Sequence, residues 1–316
     1  MNKVLKKYQK VRNSGLKSRD FWLWFIGTIL NKLKNRIYTY LVIDTDLAMA
    51  CSANKVKLKL VKKYKKKDQL NMQNIAEDAS ESFPKIVWWC WLQGEDEAPE
   101  LAKICLASIR KNFEGYDIRV VTKDNIEEYV EIPKSIYKKL DAGIISGAFF
   151  SDILRLNLLA KHGGIWIDST VYCSDDKLIS KIEENDLFMY KNVLSTNSKI
   201  IQMSSWLIAA RRGNRYLNHA ASLLTDYAVN MHYLEDYFVC HIILSILADE
   251  YSIWDNMMLY NNTDPHMLSQ VINTPFSIAQ YNEIINRSSF HKLNRHESTE
   301  SKEYTYYDFI KDAVNE

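Results

Sequence analysis

The chain has 316 residues, enough for one large α/β domain with appendages, and its 47% hydrophobic and 25% charged residues are ordinary for a soluble globular protein. Its five cysteines are odd in number and widely spaced, which argues against a disulfide framework or a zinc site and favours a reducing compartment. No P-loop, GxGxxG, HExxH or GxSxG motif occurs, so nothing supports a nucleoside triphosphatase, a dinucleotide enzyme, a zinc protease or an α/β-hydrolase.

Positive charge is concentrated at the N-terminus. Residues 1–67 contain 18 Lys and Arg residues against three Asp residues, a net charge of +15, so the remaining residues carry −13 and the whole chain +2. A basic segment next to an acidic domain indicates an anionic partner, which is either nucleic acid or an anionic lipid surface.

Apolar residues between these charges favour lipid over nucleic acid. The run FWLWFIGTIL at 21–30 is too short to span a bilayer and is typical of an interfacial helix, and the lysine-rich run at 55–67 would strengthen attraction to anionic headgroups. A signal peptide fits less well, because only Ala48-Met49-Ala50 offers a weak cleavage site. The alternative is a helix that packs on its own domain or on another subunit of a homo-oligomer. We therefore predict a basic amphipathic arm over residues 1–70 that associates with a membrane or an oligomer and binds no nucleic acid.

Apolar periodicity predicts strands alternating with helices over residues 83–295. The predicted strands are 85–93, 117–122, 165–168, 187–192 and 204–211, and the predicted helices are 98–113, 124–130, 134–141, 148–162, 214–230 and 235–250. This order indicates an α/β fold with a mostly parallel sheet and crossover helices. The charged segment 296–316 is predicted to be a surface tail or a final amphipathic helix.

The helix predicted at 148–162 carries two charges among apolar residues. Asp152 and Arg155 are three residues apart and therefore share one face. Charges in apolar surroundings are costly unless they are paired or used. The two residues could form an internal ion pair that only stabilises the helix. They could instead hold a polyhydroxylated ligand, because Arg offers a fork of donors and Asp accepts hydrogen bonds from hydroxyls.

Asp168 ends the strand that follows this helix, after a Gly163-Gly164 pair that fits a helix C-terminus. Ligands of open α/β sheets bind at the carboxyl ends of strands. Asp168 could simply form a turn. However, Asp168, Ser169 and Thr170 form a polar insert before the β-like run VYC, which is typical of a ligand or metal site. One carboxylate with hydroxyls supplies few ligands for a divalent cation, so a nucleotide diphosphate would have to complete its coordination.

Two further groups have an ordinary explanation and a functional one. Trp91 lies close to the end of the first predicted strand, near Gln93, and such a tryptophan either packs in the core or stacks on a base. Glu235 and Asp236 open a predicted helix, where acidic residues complement the helix dipole. They could also contact an acceptor.

Three segments together resemble the capsular polysaccharide synthesis family. They are FPKIVWWCWLQG, SDILRLNLLAKHGGIWIDST and FHKLN, and the similarity covers roughly residues 83–295. That family is related to the sugar-binding-region glycosyltransferases with a DxD motif and to the glucosylating bacterial toxins. The resemblance implies a GT-A fold, a nucleotide-sugar donor, and transfer with retention of anomeric configuration.

The resemblance also assigns roles to residues. It implies that Trp91 stacks on the base, that Asp152 and Arg155 hold ribose and sugar hydroxyls, and that Asp168 is the first Asp of DxD. Thr170 stands where the second Asp would be. His291 and Lys292 are implied to reach the metal or the pyrophosphate. The predicted catalytic residues are then Asp152, Arg155 and Asp168. The other sets are donor-binding (Trp91, Gln93, Asp152, Arg155, Asp168, Ser169, Thr170, Lys292), acceptor-binding (Glu235, Asp236) and metal-binding (Asp168, His291, for Mn²⁺ or Mg²⁺).

The sequence therefore predicts a glycosyltransferase at the cytoplasmic face of the plasma membrane. It would move a sugar from a nucleotide-sugar donor, which we expect to be a UDP-sugar, to a capsular or other surface polysaccharide intermediate that is lipid-linked. One alternative is a non-catalytic protein that binds nucleotide sugars or glycans, since the DxD motif is incomplete. A second is a nucleic-acid-binding protein that uses the basic arm.

Overall fold

A computed structural model describes residues 2–41, 45–67, 82–193, 198–294 and 303–315. Its strands are β1 (Ile86–Cys90), β2 (Asp117–Val121), β3 (Gly164–Ile167), β4 (Val171–Cys173), β5 (Leu187–Lys191), β6 (Met203–Ala210), β7 (Tyr260–Asn261) and β8 (Phe290–Lys292). Its helices are α1 (Asn2–Asn13), α2 (Ser18–Leu41), α3 (Thr45–Lys66), α4 (Glu100–Asn112), α5 (Ile126–Tyr129), α6 (Lys134–Asp141), α7 (Gly147–His162), α8 (Ile179–Glu183), α9 (Arg215–Asn230), α10 (Val239–Tyr251), α11 (Ile253–Asn256), α12 (Met267–Val271), α13 (Ile278–Ile285) and α14 (Tyr306–Ala313).

The central sheet has the strand order β2-β1-β3-β6-β5-β7. The pairs β1–β2, β1–β3 and β5–β7 are parallel, whereas β6 runs antiparallel to both of its neighbours. The chain between Lys191 and Met203 is too short for a crossover helix, so β6 must return antiparallel to β5. The predicted α/β fold with a mostly parallel sheet is confirmed, with β6 as the exception.

Alternation along the strands gives the sheet two apolar faces. Trp88 and Trp166 point to the face covered by α7, α9 and α10, while Trp89 and Ile165 point to the face covered by α4. All four side chains are buried. The sheet is therefore buried on both sides, and the ends of its strands are left as the place for polar chemistry.

Two glycines set α7 onto β3. Ser146 caps the start of α7 by accepting a hydrogen bond from the backbone NH of Phe149. Gly163 and Gly164 end the helix with φ of +67° and +90°, and a Cβ there would lie 2.6 Å from the Arg212 nitrogen and 2.5 Å from the Ile86 carbonyl oxygen. Only glycine fits both positions, so the turn between helix and strand has one geometry.

The three N-terminal helices pack on the domain through one side. Phe21 of α2 and Leu60 and Tyr64 of α3 belong to the same buried cluster as α9 and α10, and the Tyr64 hydroxyl donates to the Leu223 carbonyl over 3.1 Å. The described part of the predicted arm is helical apart from a turn at residues 14–17, and its inner side packs on its own domain. Residues 1, 42–44 and 68–70 of the predicted arm lie outside the described residues. Among the helices described, none is both long and apolar enough to cross a membrane.

The C-terminal segment ends in an amphipathic helix. A capping box between Thr305 and Asp308 starts α14, and Phe309 stacks on Phe276 with 4.1 Å between ring centroids. Tyr306 is fully buried. Of the two predicted forms for 296–316, the described part takes the amphipathic helix; residues 296–302 and 316 lie outside the described residues.

Candidate active site

A cavity of about 950 Å³ lies at the edge of the sheet where β1 and β3 end and β6 begins. Seven of the residues predicted from sequence line it: Trp91, Gln93, Arg155, Asp168, Ser169, Thr170 and Lys292. They come from the turn after β1, from α7, from the turn after β3 and from β8. The fold therefore brings the predicted donor-binding set together from four separate parts of the chain, with the exception of Asp152.

Arg155 is the best-fixed charge in the cavity wall. Its Nη1 donates to the Ser205 carbonyl over 2.8 Å and also contacts the Ser205 hydroxyl, while its Nη2 lies 2.9 Å from Asp168 Oδ1. The guanidinium stacks over the Trp166 ring, 5.1 Å from the centroid. Burial alone would lower the pKa of Arg155, but Asp168 and Asp152 outweigh it and raise that pKa. The side chain is therefore a permanent cation held in one orientation.

Asp168 is ionised and accessible. Its Oδ1 accepts hydrogen bonds from Arg155 Nη2 and from Trp166 Nε1, each at 2.9 Å, and its Oδ2 lies 3.4 Å from Lys292 Nζ. Burial would raise the pKa of Asp168, but Arg155 and Lys292 more than offset this and lower it. With 22% of its side chain exposed, Asp168 can still accept a hydrogen bond from a bound ligand.

Asp152 lies behind Arg155 and does not line the cavity. Its Oδ1 is 3.0 Å from Arg155 Nη1, and only 12% of the side chain is exposed. Burial raises the pKa of Asp152 to about 6, although Arg155 acts in the opposite direction. Asp152 contacts Arg155 rather than lining the cavity, which differs from the predicted donor-binding and catalytic role. Its contacts are those of a residue that positions Arg155.

Lys292 reaches the site because β8 pairs with β4. In that antiparallel pair Lys292 lies opposite Val171, next to the polar insert. Its Nζ donates to Thr170 Oγ1 over 2.6 Å and is 3.4 Å from Asp168 Oδ2. A positive charge therefore lies beside Asp168 and beside Thr170, the residue that stands where the DxD pattern has its second Asp.

These residues do not fit a resident divalent cation. Both Asp168 oxygens already face cationic or NH groups, which leaves a lone pair for a hydrogen bond but no second carboxylate for a cation, and the Thr170 hydroxyl accepts from Lys292. His291 is fully buried outside the cavity lining, with Nε2 3.0 Å from the Ser174 hydroxyl, and burial lowers its pKa to about 4. In the described part of the chain, no three His, Cys, Asp or Glu side chains are grouped to hold a metal. His291 is therefore not brought to Asp168 as the resemblance implied.

The predicted acceptor residues also lie outside the cavity lining. Glu235 accepts from Lys59 Nζ over 2.6 Å, and Asp236 accepts from the backbone NH of Phe238 over 2.8 Å. Helix α10 begins only at Val239, so the predicted helix start at residue 235 is wrong, because Asp236 closes a turn before the helix. The neighbouring Tyr237 lines the cavity instead, with 65% of the residue exposed.

Sequence reasoning missed several lining residues. Ser146 and Gly147, at the start of α7, line the cavity, and a serine before an apolar helix is a readable cap signal. Tyr237, His266 and Asn294 line it as well. Asn294 is the last residue of the FHKLN segment, whereas Tyr237 and His266 carry no local signal, because only the tertiary fold brings their loops to the strand ends.

The described structure is thus a mixed α/β sheet with a polar cavity at its strand ends, the place where open α/β sheets bind their ligands. The profile of the family described as "Capsular polysaccharide synthesis protein" matches residues 36–310. The chain belongs to that family. No curated protein matches the sequence. Among solved structures, the chain is similar to one titled "PaToxG Glycosyltransferase", with 12% identity over 63% of this chain and 79% of that chain and a TM-score of 0.37.

Proposed function

We propose that this protein is a glycosyltransferase that moves a sugar from a nucleotide-sugar donor to a capsular or other surface polysaccharide intermediate. Membership of the capsular polysaccharide synthesis protein family supports a glycosyltransferase role. The observation that carries the proposal is the shared cavity of Trp91, Arg155, Asp168 and Lys292, which combines an aromatic ring, two cations and one ionised carboxylate.

Each of these groups suits one part of a nucleotide sugar. Trp91 is partly buried after β1 and offers a ring on which a base can stack. The N-terminus of α7, at Ser146 and Gly147, lines the same cavity, and helix N-termini favour anionic groups such as a diphosphate. Asp168 can accept a hydrogen bond from a sugar hydroxyl and so orient the donor.

Lys292 and Arg155 supply positive charge where the leaving group forms. Breaking the bond between the anomeric carbon and the diphosphate oxygen leaves negative charge on that oxygen. A cation that is already in place stabilises this charge without reorganisation at the moment of reaction. Both cations are held by Asp168, so their positions are set before the donor binds. No step of this proposal passes through a metal ion, because the residues present do not fit one.

A donor-binding experiment tests the proposal. The full-length protein is titrated with a panel of nucleotide sugars, UDP-sugars first, by calorimetry and by thermal shift. At about 100-fold above Kd, a bound donor should add about 2.7 kcal/mol to the free energy of unfolding. Adding Mn²⁺ should change the affinity little. The variant Asp168→Asn should stay folded and lose transfer. Absence of any shift with every nucleotide sugar would contradict the donor site.

Stereochemistry and acceptor are the finer parts of the proposal. Retention of configuration and a lipid-linked acceptor at the cytoplasmic face of the plasma membrane follow from the resemblance and from the basic N-terminal helices. The anomeric configuration of the transferred sugar, measured by NMR on the product, tests retention. An inverted product would contradict it while leaving the donor site intact.

One observation favours a second candidate, a protein that binds nucleotide sugars without transferring them. Thr170 stands where a DxD motif has its second Asp, and its hydroxyl is held by Lys292. This candidate predicts donor binding with no release of free nucleotide, with or without acceptor. Measured release of UDP from a bound UDP-sugar, lost in Asp168→Asn, would exclude it.

A further inference from the structure

Helix α2 has an outer side that nothing in the described structure covers. Its exposed large apolar residues are Trp22, Leu23, Ile26, Ile29, Leu30 and Leu33, each between 38% and 60% exposed. Their spacing of three, four and seven residues places them in one stripe along the helix. Contiguous exposed apolar surface of this kind marks an interaction site rather than ordinary solvent-facing surface.

The opposite side of α2 is already used by the domain. Phe21 is buried, and Phe25 packs against the same cluster. Gly27 lies against the Tyr233 ring so closely that an added Cβ would be 2.2 Å from its Cδ1. Asn31 Nδ2 donates to the Glu235 carbonyl over 3.0 Å. The outer stripe is therefore fixed in its direction and cannot turn inward.

Exposed positive charges accompany the stripe. Arg19 precedes it, and Lys32, Lys34 and Arg36 follow or flank it on the same helix. Two copies of the chain that paired through this side would bring these charges together, which is unfavourable. An anionic bilayer instead accepts both features, since the apolar side chains enter the acyl boundary and the basic ones meet the headgroups.

We propose that the outer stripe of α2 is a docking surface for an anionic lipid bilayer. The helix lies in the plane of the interface. The part of this proposal that concerns catalysis rests on the proposed function: α2 holds the 233–238 segment through Gly27 and Asn31, and Tyr237 of that segment lines the cavity. Docking therefore places the rim of the cavity beside the surface on which a lipid-linked acceptor is presented.

Vesicle sedimentation tests the docking surface. Full-length protein is mixed with phosphatidylglycerol–phosphatidylcholine vesicles, or with phosphatidylcholine alone, at about 150 mM salt. We expect binding to the anionic vesicles only. The triple variant Trp22→Ser, Ile26→Ser, Leu30→Ser should lose at least tenfold in affinity with an unchanged melting curve. Lys32→Gln, Lys34→Gln, Arg36→Gln should lose the salt-sensitive part of the binding.

A matched control is Ile278→Ser on α13, because Ile278 is as exposed as the stripe residues (57%) but lies on another element. It should bind vesicles as the wild type does. Wild-type protein that remains in the supernatant, or a triple variant that binds normally, would overturn the proposal. A triple variant that turns a dimer into a monomer without changing vesicle binding would indicate a second copy as the occupant. Retention of a mixed-sequence RNA without vesicle binding would indicate nucleic acid.

The same samples separate this proposal from the proposed function. Asp168→Asn should still bind vesicles, and the triple variant should still bind the nucleotide sugar. Vesicle binding without any donor binding would support the docking surface and contradict the proposed glycosyltransferase. Donor binding without vesicle binding would support the donor site and contradict the docking surface.

Discussion

The ion pairs in the cavity wall differ from those that join α3 to the domain. Arg155 is 6% exposed, whereas Lys59, which pairs with Glu235, is 63% exposed. Surface pairs contribute about 0–1 kcal/mol, but a buried charge that loses its partner costs several kcal/mol. Burial of Leu60 and Tyr64, not the ion pairs, therefore holds α3 in place. Charge fixes geometry in the cavity wall, and apolar contact supplies stability in the N-terminal layer.

Arg155→Met gives the largest expected effect. It leaves the carboxylates of Asp152 and Asp168 in the wall without their cation, so the free energy of unfolding should fall by about 3–5 kcal/mol. Urea unfolding measures this. Arg155→Lys, which keeps the charge but not the fork, is the control and should lose less stability. A loss under about 1 kcal/mol in Arg155→Met would place this cluster with ordinary surface pairs.

Lys292→Ala should act on turnover rather than on stability. Removing one preorganised positive group from a charge that develops in the reaction costs about 10²–10³ in kcat. Lys292 is 23% exposed, so the free energy of unfolding should change by about 1 kcal/mol or less. Steady-state kinetics with and without Mn²⁺ check this. Recovery of the variant by added Mn²⁺ to wild-type activity would contradict a site that does not fit the cation.

Leu60→Ala tests what holds the N-terminal layer. Leu60 is 2% exposed between α3 and the domain, and truncating such a residue costs about 2–5 kcal/mol. Thermal and urea unfolding should show this loss as one cooperative transition, because the layer shares the core of the domain. Two separate transitions would mean that the layer unfolds independently.

Lowering the pH should loosen Arg155 through Asp152. The folded pKa of Asp152 is raised to about 6, so its carboxylate is neutralised as the pH falls through that value and its ionic contact with Arg155 is lost. Donor affinity should therefore fall below pH of about 6, and Asp152→Asn should remove that step. Because the folded pKa lies above the unfolded one, this group's contribution to stability is present at low pH and lost as the pH rises through about 6.

Lys59→Ala should have the smallest effect. Lys59 is the neighbour of Leu60 in sequence, and its substitution removes only the exposed ion pair with Glu235. The free energy of unfolding should therefore fall by at most about 1 kcal/mol. Paired measurements of Lys59→Ala and Leu60→Ala in one urea series give the comparison directly. A loss in Lys59→Ala that equals the loss in Leu60→Ala would overturn the view that apolar contact holds this layer.

Local patterns predicted the site where its parts are close in sequence. The glycine pair and the strand after it placed Asp168, and helical spacing put Asp152 on the face of Arg155. The sequence did not show how deeply each side chain is buried, so Asp152 was predicted to contact the ligand although it lies behind Arg155. Lys292 reached Thr170 only through the β4–β8 pairing, which joins residues far apart in sequence and was implied by the resemblance alone.

Helix α2 shows a different limit of sequence analysis. The run at 21–30 is apolar almost all round, so its periodicity could not show which side faces the domain. Tertiary contacts decide which side of α2 faces the domain, since the Tyr233 ring packs against Gly27 and Asn31 donates a hydrogen bond to the Glu235 carbonyl. Local periodicity was enough to predict the alternating strands and helices of the domain. The packing of the N-terminal helices depends on tertiary contacts and was therefore predicted less closely.

The close contact between Gly27 and Tyr233 has a consequence for the choice of acceptor. Because the ring lies against the helix backbone, α2 is held at one rotation relative to the cavity. On a bilayer, the cavity mouth would then stand at a constant height above the headgroups. An acceptor whose sugar chain ends below that height could not enter, and a longer one would have to bend. Under the proposed function, acceptors would therefore be selected by the distance between their lipid anchor and their reacting sugar.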